Sequence, residues 1–112
     1  MRVTGMFRHF YKRLSYGLKT TLNGTGFKNI AIQDFAGGEI FNPTGNTVAT
    51  LTFYVAPSVD DTFIAAYDSA GAAVTLTVAS GKAYPIPAAV FGAGALQITG
   101  DVADTIHLTF KA

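Results

Sequence analysis

From Thr20 to the C-terminus, apolar and polar residues alternate in short runs, and clusters of Gly, Pro, Asn or Asp interrupt the runs every eight to twelve positions. Side chains of an extended chain point to opposite faces in turn, so each run makes a strand with one buried face. Regular punctuation then makes many short strands. The expected body, residues 20–112, is all-β: an antiparallel β-sandwich or jelly-roll-like barrel of about seven to eight strands.

Within that body, Phe27 to Phe35 reads as a strand with Ile30 and Ile32 on one face, and Gly37-Gly38 allows a reversal into Glu39-Ile40-Phe41. Asn42 to Asn46, with Pro43 and Gly45, is a loop. Thr47 to Ala56 is the strongest strand, with Val48 and Thr50 facing one way and Leu51, Phe53 and Val55 the other. Thr62 to Tyr67 and Ala72 to Val78 read as a hairpin around Asp68-Ser69-Ala70-Gly71, in which Asp at the first turn position bonds backbone amides and Gly closes the turn. Tyr84-Pro85-Ile86-Pro87 belongs at a sheet edge or in a crossover, because proline donates no ladder bond. Ala88 to Gly94 allows one short helical turn. Ala95 to Thr99 and Thr105 to Lys111 read as the last pair of strands, with Ile106, Leu108 and Phe110 turned to the core.

The N-terminal residues follow a different period. Phe7, Phe10, Tyr11, Leu14 and Leu18 recur at helical spacing, while Arg8, Lys12, Arg13 and Lys19 lie mostly off that face. Residues 1–19 are therefore expected to be a basic arm or short amphipathic helix. A helix of this length is marginal alone in water, so it needs a surface to lie on, its own body's or a neighbour's. The arm residues singled out for partner binding are Arg2, Phe7, Arg8, Phe10, Tyr11, Lys12, Arg13, Leu14 and Lys19.

Charge divides the chain in the same place. Arg2, Arg8, Lys12, Arg13, Lys19 and Lys28 stand in residues 1–28 without one acid, whereas the rest carries Lys82 and Lys111 against seven acids. Charged residues make up only 13% of the whole and apolar ones 49%, which suits a subunit whose surface is largely covered by partners. With no cysteine, disulfides and thiolate metal sites are excluded. No uninterrupted apolar stretch at the start fits a secretory signal. The uncharged stretch from Ala83 to Gly100 holds Pro85, Pro87, Gly92, Gly94 and Gly100, which is unsuited to a membrane span.

Tests for chemistry fail one by one. The bases are His9 and His107, and Ser80 stands in no Gly-x-Ser-x-Gly elbow. Asp60-Asp61 and Asp101 with Asp104 lie in expected turns, where Asp serves backbone amides, and neither spacing fits a calcium loop. Gly24-Thr25-Gly26-Phe27-Lys28-Asn29 lacks the third glycine of a dinucleotide fingerprint. The expectation is a protein that binds and assembles, with no catalytic residue, metal or cofactor.

Residues 47–112 carry a resemblance to a known family. The segments Asp61-Thr62-Phe63, Tyr67-Asp68-Ser69-Ala70-Gly71, Lys82-Ala83-Tyr84-Pro85-Ile86-Pro87 and Gly94-Ala95-Leu96-Gln97-Ile98-Thr99-Gly100 look like those of small virion structural proteins of tailed bacteriophages. They are similar to capsid decoration, or cement, proteins, in which a Pro-x-x-x-Phe-Gly segment leads to a final Leu-x-Ile strand. Here that segment is Pro87-Ala88-Ala89-Val90-Phe91-Gly92. The resemblance implies a subunit made in the host cytoplasm that sits on the capsid surface and bridges major capsid proteins, with copies of itself as further partners. Two rival expectations stand beside it. One is a carbohydrate- or receptor-binding sandwich of a tail or adhesin, which the absence of Trp disfavours. The other is nucleic-acid or membrane-surface binding through the basic arm.

Overall fold

The computed structural model describes residues 15–23 and 29–112, and they form the all-β body that the alternating pattern requires. Nine strands lie in two antiparallel sheets. The first sheet has four: β1 (Ser15–Thr21), β3 (Gly37–Asn42), β7 (Lys82–Pro85) and β9 (Thr105–Lys111), in the order β1-β9-β3-β7. The second has β2 (Ile30–Ala31), β4 (Thr50–Ala56), β5 (Ile64–Ala65), β6 (Thr75–Thr77) and β8 (Ala95–Gly100), in the order β2-β8-β4-β5 with β6 also on β4. The sheets do not close into a barrel, so the sandwich alternative holds.

Burial explains the pairing of the layers. Ile40, Ile106, Leu108 and Phe110 from the first sheet, with Ile86 just past the end of β7, meet Ile30, Leu51, Phe53, Leu96 and Ile98 from the second, all buried. Val90, on the single 3₁₀ turn Ala88–Gly92, plugs one end with no exposed surface. Without disulfides, this core carries the fold: each fully buried Leu, Ile or Phe contributes roughly 1.5–3 kcal/mol over leaving it in water. Ile106, Leu108 and Phe110 face inward and His107 and Lys111 outward, as alternation demands.

Several expectations are corrected. Residues 15–19 do not continue a helical arm; they form the first part of β1, which pairs without a break from Ser15↔Lys111 to Thr21↔Thr105. The strand phase puts Tyr16, Leu18 and Thr20 on one face, opposite Phe110, Leu108 and Ile106, and that ladder satisfies one side of β9. The rest of the expected arm lies outside the described residues.

Gly37 and Gly38 make no reversal, since both sit in β3 opposite Lys111 and Phe110. Gly38 is required for close approach: a Cβ there would overlap the Thr109 carbonyl oxygen and press on Ile86. The long strand starts at Thr50 and not Thr47, and Val48, expected on the face opposite Leu51 and Phe53, is buried in the same core with them. Of the strand expected over 27–35, residues 27 and 28 lie outside the described residues, and among the described ones a ladder forms only at Ile30–Ala31, although Ile30 and Ile32 are both buried.

The expected hairpin is half right. Its turn is as read: Asp68 Oδ1 accepts from the Ala70 and Ala72 amides, at 2.9 Å each, and Gly71 takes a φ of +84°. Its arms, however, pair with each other only at the Tyr67↔Ala73 bridge. β5 and β6 instead lie end to end along one edge of β4, at Tyr54–Val55 and Thr50–Thr52, and the segment between them stands off as an ear. Val74 and Val78 turn inward all the same.

The last two strands are not partners. β8 pairs with β2 and β4, β9 with β1 and β3, and the loop between them carries the chain from one sheet to the other. The prolines fall where expected: among the described residues β7 is an edge strand paired only with β3.

Candidate functional site

Of the four carboxylates that the sequence offers for chemistry, those of Asp61, Asp101 and Asp104 are engaged in structural hydrogen bonds. Asp104 Oδ2 accepts from the amides of Thr47 (2.7 Å) and Val48 (2.8 Å), and Asp101 Oδ1 from those of Ala49 (2.9 Å) and Thr50 (3.1 Å). Two side chains thus hold four consecutive backbone donors. They clasp the crossover loop 101–104 to the start of β4, which is why no strand ladder forms at residues 47–49. The amides of Ala49 and Thr50 hold the Asp101 carboxyl below its ordinary value of 3.8. Asp61 accepts from the Ser58 hydroxyl at 2.9 Å, and Ser80 Oγ accepts from the Gly45 amide at 3.0 Å. Among the described residues, no His, Asp or Glu cluster of three could hold a metal ion.

What remains open is surface. Across the outer face of the four-stranded sheet, Lys19, His107, Phe41 and Ala83 stand side by side in register on β1, β9, β3 and β7. All four are exposed, Phe41 by 42%. Shallow depressions flank the Phe41 ring, one of about 490 Å³ reaching Lys19 and His107, the other of about 260 Å³ reaching Thr44 and Lys82. Glu39, Thr109 and Pro85 form the neighbouring row. Phe41 therefore presents an aromatic ring among cations on a nearly flat sheet, a surface suited to another protein and too shallow to enclose a small molecule.

A second open place is the mouth of the sandwich between β1 and β2. A cleft of about 310 Å³ there is lined by Tyr16, Leu18, Ile30, Asp34 and Phe35. Tyr16 stacks on Phe35 at 6.1 Å and on Phe110 at 6.5 Å between ring centroids, and is still 48% exposed. Such stacked pairs contribute about 0.5–1.5 kcal/mol beyond area burial, so the mouth is held in shape rather than collapsed.

Of the arm residues expected to bind partners, only Lys19 is described; it lies on β1 with its side chain on the outer face. Arg2, Phe7, Arg8, Phe10, Tyr11, Lys12, Arg13 and Leu14 lie outside the described residues. Phe41 was missed because an aromatic in a β run reads as core, and its alternation with the buried Ile40 and Asn42 is the signal that places it outside.

No helix among the described residues is long and apolar enough to cross a membrane. No family model, no curated protein and no solved structure matches the chain.

Proposed function

We propose that the protein is a non-catalytic virion subunit, a capsid decoration protein of a tailed phage that bridges neighbouring major capsid proteins and associates with copies of itself. The observation that carries the assembly reading is the outer strip Lys19, His107, Phe41 and Ala83. A flat face with an exposed aromatic and a cationic rim is a docking surface, and the low charge content of the chain agrees with a subunit that spends its life covered. The engagement of Asp101, Asp104, Asp61 and Ser80 in structural bonds supports a role without catalysis. The finer assignment to a capsid draws on the resemblance of residues 47–112 to decoration proteins.

The test is co-sedimentation with expanded phage capsids. Wild-type chain is expected to saturate a fixed number of sites per shell, and Phe41→Asp to lower occupancy at least ~10-fold by placing a charge in the interface core. A deletion that examines the arm must stop at Leu14, because Ser15 begins β1. Loss of occupancy on deleting residues 1–14 is expected. Unchanged occupancy in both variants would overturn the reading, as would steeply salt-dependent binding to DNA in place of the shell.

A further inference from the structure

A sheet edge presents unpaired amides and carbonyls, and proteins that stay apart protect such edges with proline, shortness or bulges. Three of the edges here are protected. On β7 the bond from the Ile86 amide to the Gly38 carbonyl (2.9 Å) sets the ladder phase, so that Pro85 occupies a position facing away from β3 and removes an outward donor. β2 has two residues, and the far side of β4 is covered by β5 and β6, of two and three residues. β1 differs. It runs seven residues without proline or bulge, and among the described residues it pairs only with β9.

Its free groups follow from the ladder. The Leu22 amide donates to the Asp104 carbonyl at 2.8 Å, which continues the β1–β9 ladder and fixes its phase. Tyr16, Leu18 and Thr20 turn their backbone groups toward β9. Ser15, Gly17, Lys19 and Thr21 turn theirs outward.

We propose that β1 is a self-association edge: two copies pair β1 to β1, antiparallel about a two-fold axis at Leu18, and fuse their four-stranded sheets into one. Full overlap of Ser15–Thr21 with itself sets this register. It matches Ser15 with Thr21 of the second copy and Gly17 with Lys19, and all of these present outward amides and carbonyls. The same register sets Lys19 against a residue with no side chain, whereas a shift centred on Lys19 would set two lysines directly opposite. On the inner face Leu18 meets its own counterpart and Tyr16 lies beside Thr20. The half-exposed Tyr16 and the partly buried Leu18, both lining the mouth of the sandwich, then acquire apolar neighbours. The inference deepens the assembly reading by naming the surface through which copies of the chain join.

The chain has no cysteine, so one introduced thiol reports on the register. In the proposed dimer residue 18 faces itself as a non-hydrogen-bonded pair with Cα atoms about 4.5 Å apart, within the span of a disulfide. Residue 17 meets its counterpart only on the diagonal, about 7–8 Å away, at or beyond that span. Full-length Leu18→Cys is therefore expected to oxidise to a covalent dimer at least ~10-fold faster than Gly17→Cys. A Cβ at position 17 meets nothing closer than 3.7 Å, so the control folds.

Gly17→Pro removes an outward donor and leaves the β9 ladder whole; in sedimentation equilibrium it is expected to weaken the dimer at least ~10-fold, with an unchanged circular dichroism spectrum. A wild type that stays monomeric through the micromolar range overturns the inference, as does a dimer indifferent to Gly17→Pro or equal oxidation of the two thiols. The two readings fail separately. A monomer that occupies capsids sinks the edge and leaves the capsid reading, and a β1-linked dimer that binds no shell does the reverse.

Discussion

Replacing Asp104 with alanine removes an acceptor that no other described side chain supplies to the Thr47 and Val48 amides. The two bonds are short, 2.7 and 2.8 Å, and the acceptor is a carboxylate, so each belongs to the charge-assisted class. The Thr47 amide is exposed and recovers a water, which leaves a small net loss. The Val48 amide is part-buried and Val48 itself is 2% exposed, so solvating that amide requires the valine to leave the core. A lost hydrogen bond to a charged group costs about 1.5–3 kcal/mol, and the two unequal contributions together give about 2–3 kcal/mol. For a domain of this size that lowers Tm by roughly 8–15 °C, readable by differential scanning calorimetry. Asp104→Asn keeps an oxygen that accepts both bonds and loses only the charge, so about half the effect is expected. A Tm for Asp104→Ala within ~1 °C of wild type would refute the clasp as a source of stability.

Three further outcomes follow from other parts of the structure. Since the Asp101 carboxyl titrates below its unfolded value, its stabilisation is complete above about pH 4 and lost as pH falls through the lowered folded value; Asp101→Asn is expected to flatten the acid side of a Tm-against-pH curve, and parallel curves would contradict this. Thr20 is 2% exposed and its hydroxyl has no partner among the described residues, so Thr20→Val is expected to raise stability by about 1 kcal/mol in urea unfolding, and a loss would show that the hydroxyl is satisfied. A Cβ at Gly94 would overlap the Pro57 carbonyl oxygen whereas one at Gly17 is free, so Gly94→Ala is expected to cost about 2–4 kcal/mol and Gly17→Ala less than ~0.5 kcal/mol; similar midpoints would refute the close approach.

Local signals in the sequence were read correctly where the physics is local. The alternation of Ile106, Leu108 and Phe110, the Asp68 to Gly71 turn and the edge placement of Pro85 each depend on a few neighbouring residues. Sheet membership depends on partners far away. Ala95–Gly100 and Thr105–Lys111, joined by a short acidic loop, have the pattern of a hairpin, yet Asp101 and Asp104 reach residues 47–50 and the strands go to opposite sheets. Nothing in the loop itself names that partner.

Leu18 illustrates the limit of periodicity. Its spacing from Phe7, Phe10, Tyr11 and Leu14 is helical, while its alternation with Tyr16 and Thr20 is that of a strand, and the open side of β9 decides between them. The candidate surface was legible only in part for the same reason. Lys19 was singled out for its charge, but the strand that carries it, the free edge beside it and Phe41 across the sheet come from the ladder register.

Under the proposed function the chain acts as an assembled structural subunit, and purifying it from its natural source under native conditions and following it through a density gradient tests this. Co-migration with a capsid-sized particle, in fixed ratio to the major shell protein, is the expected result. A free, stable monomer with no particle-bound fraction would contradict the claim.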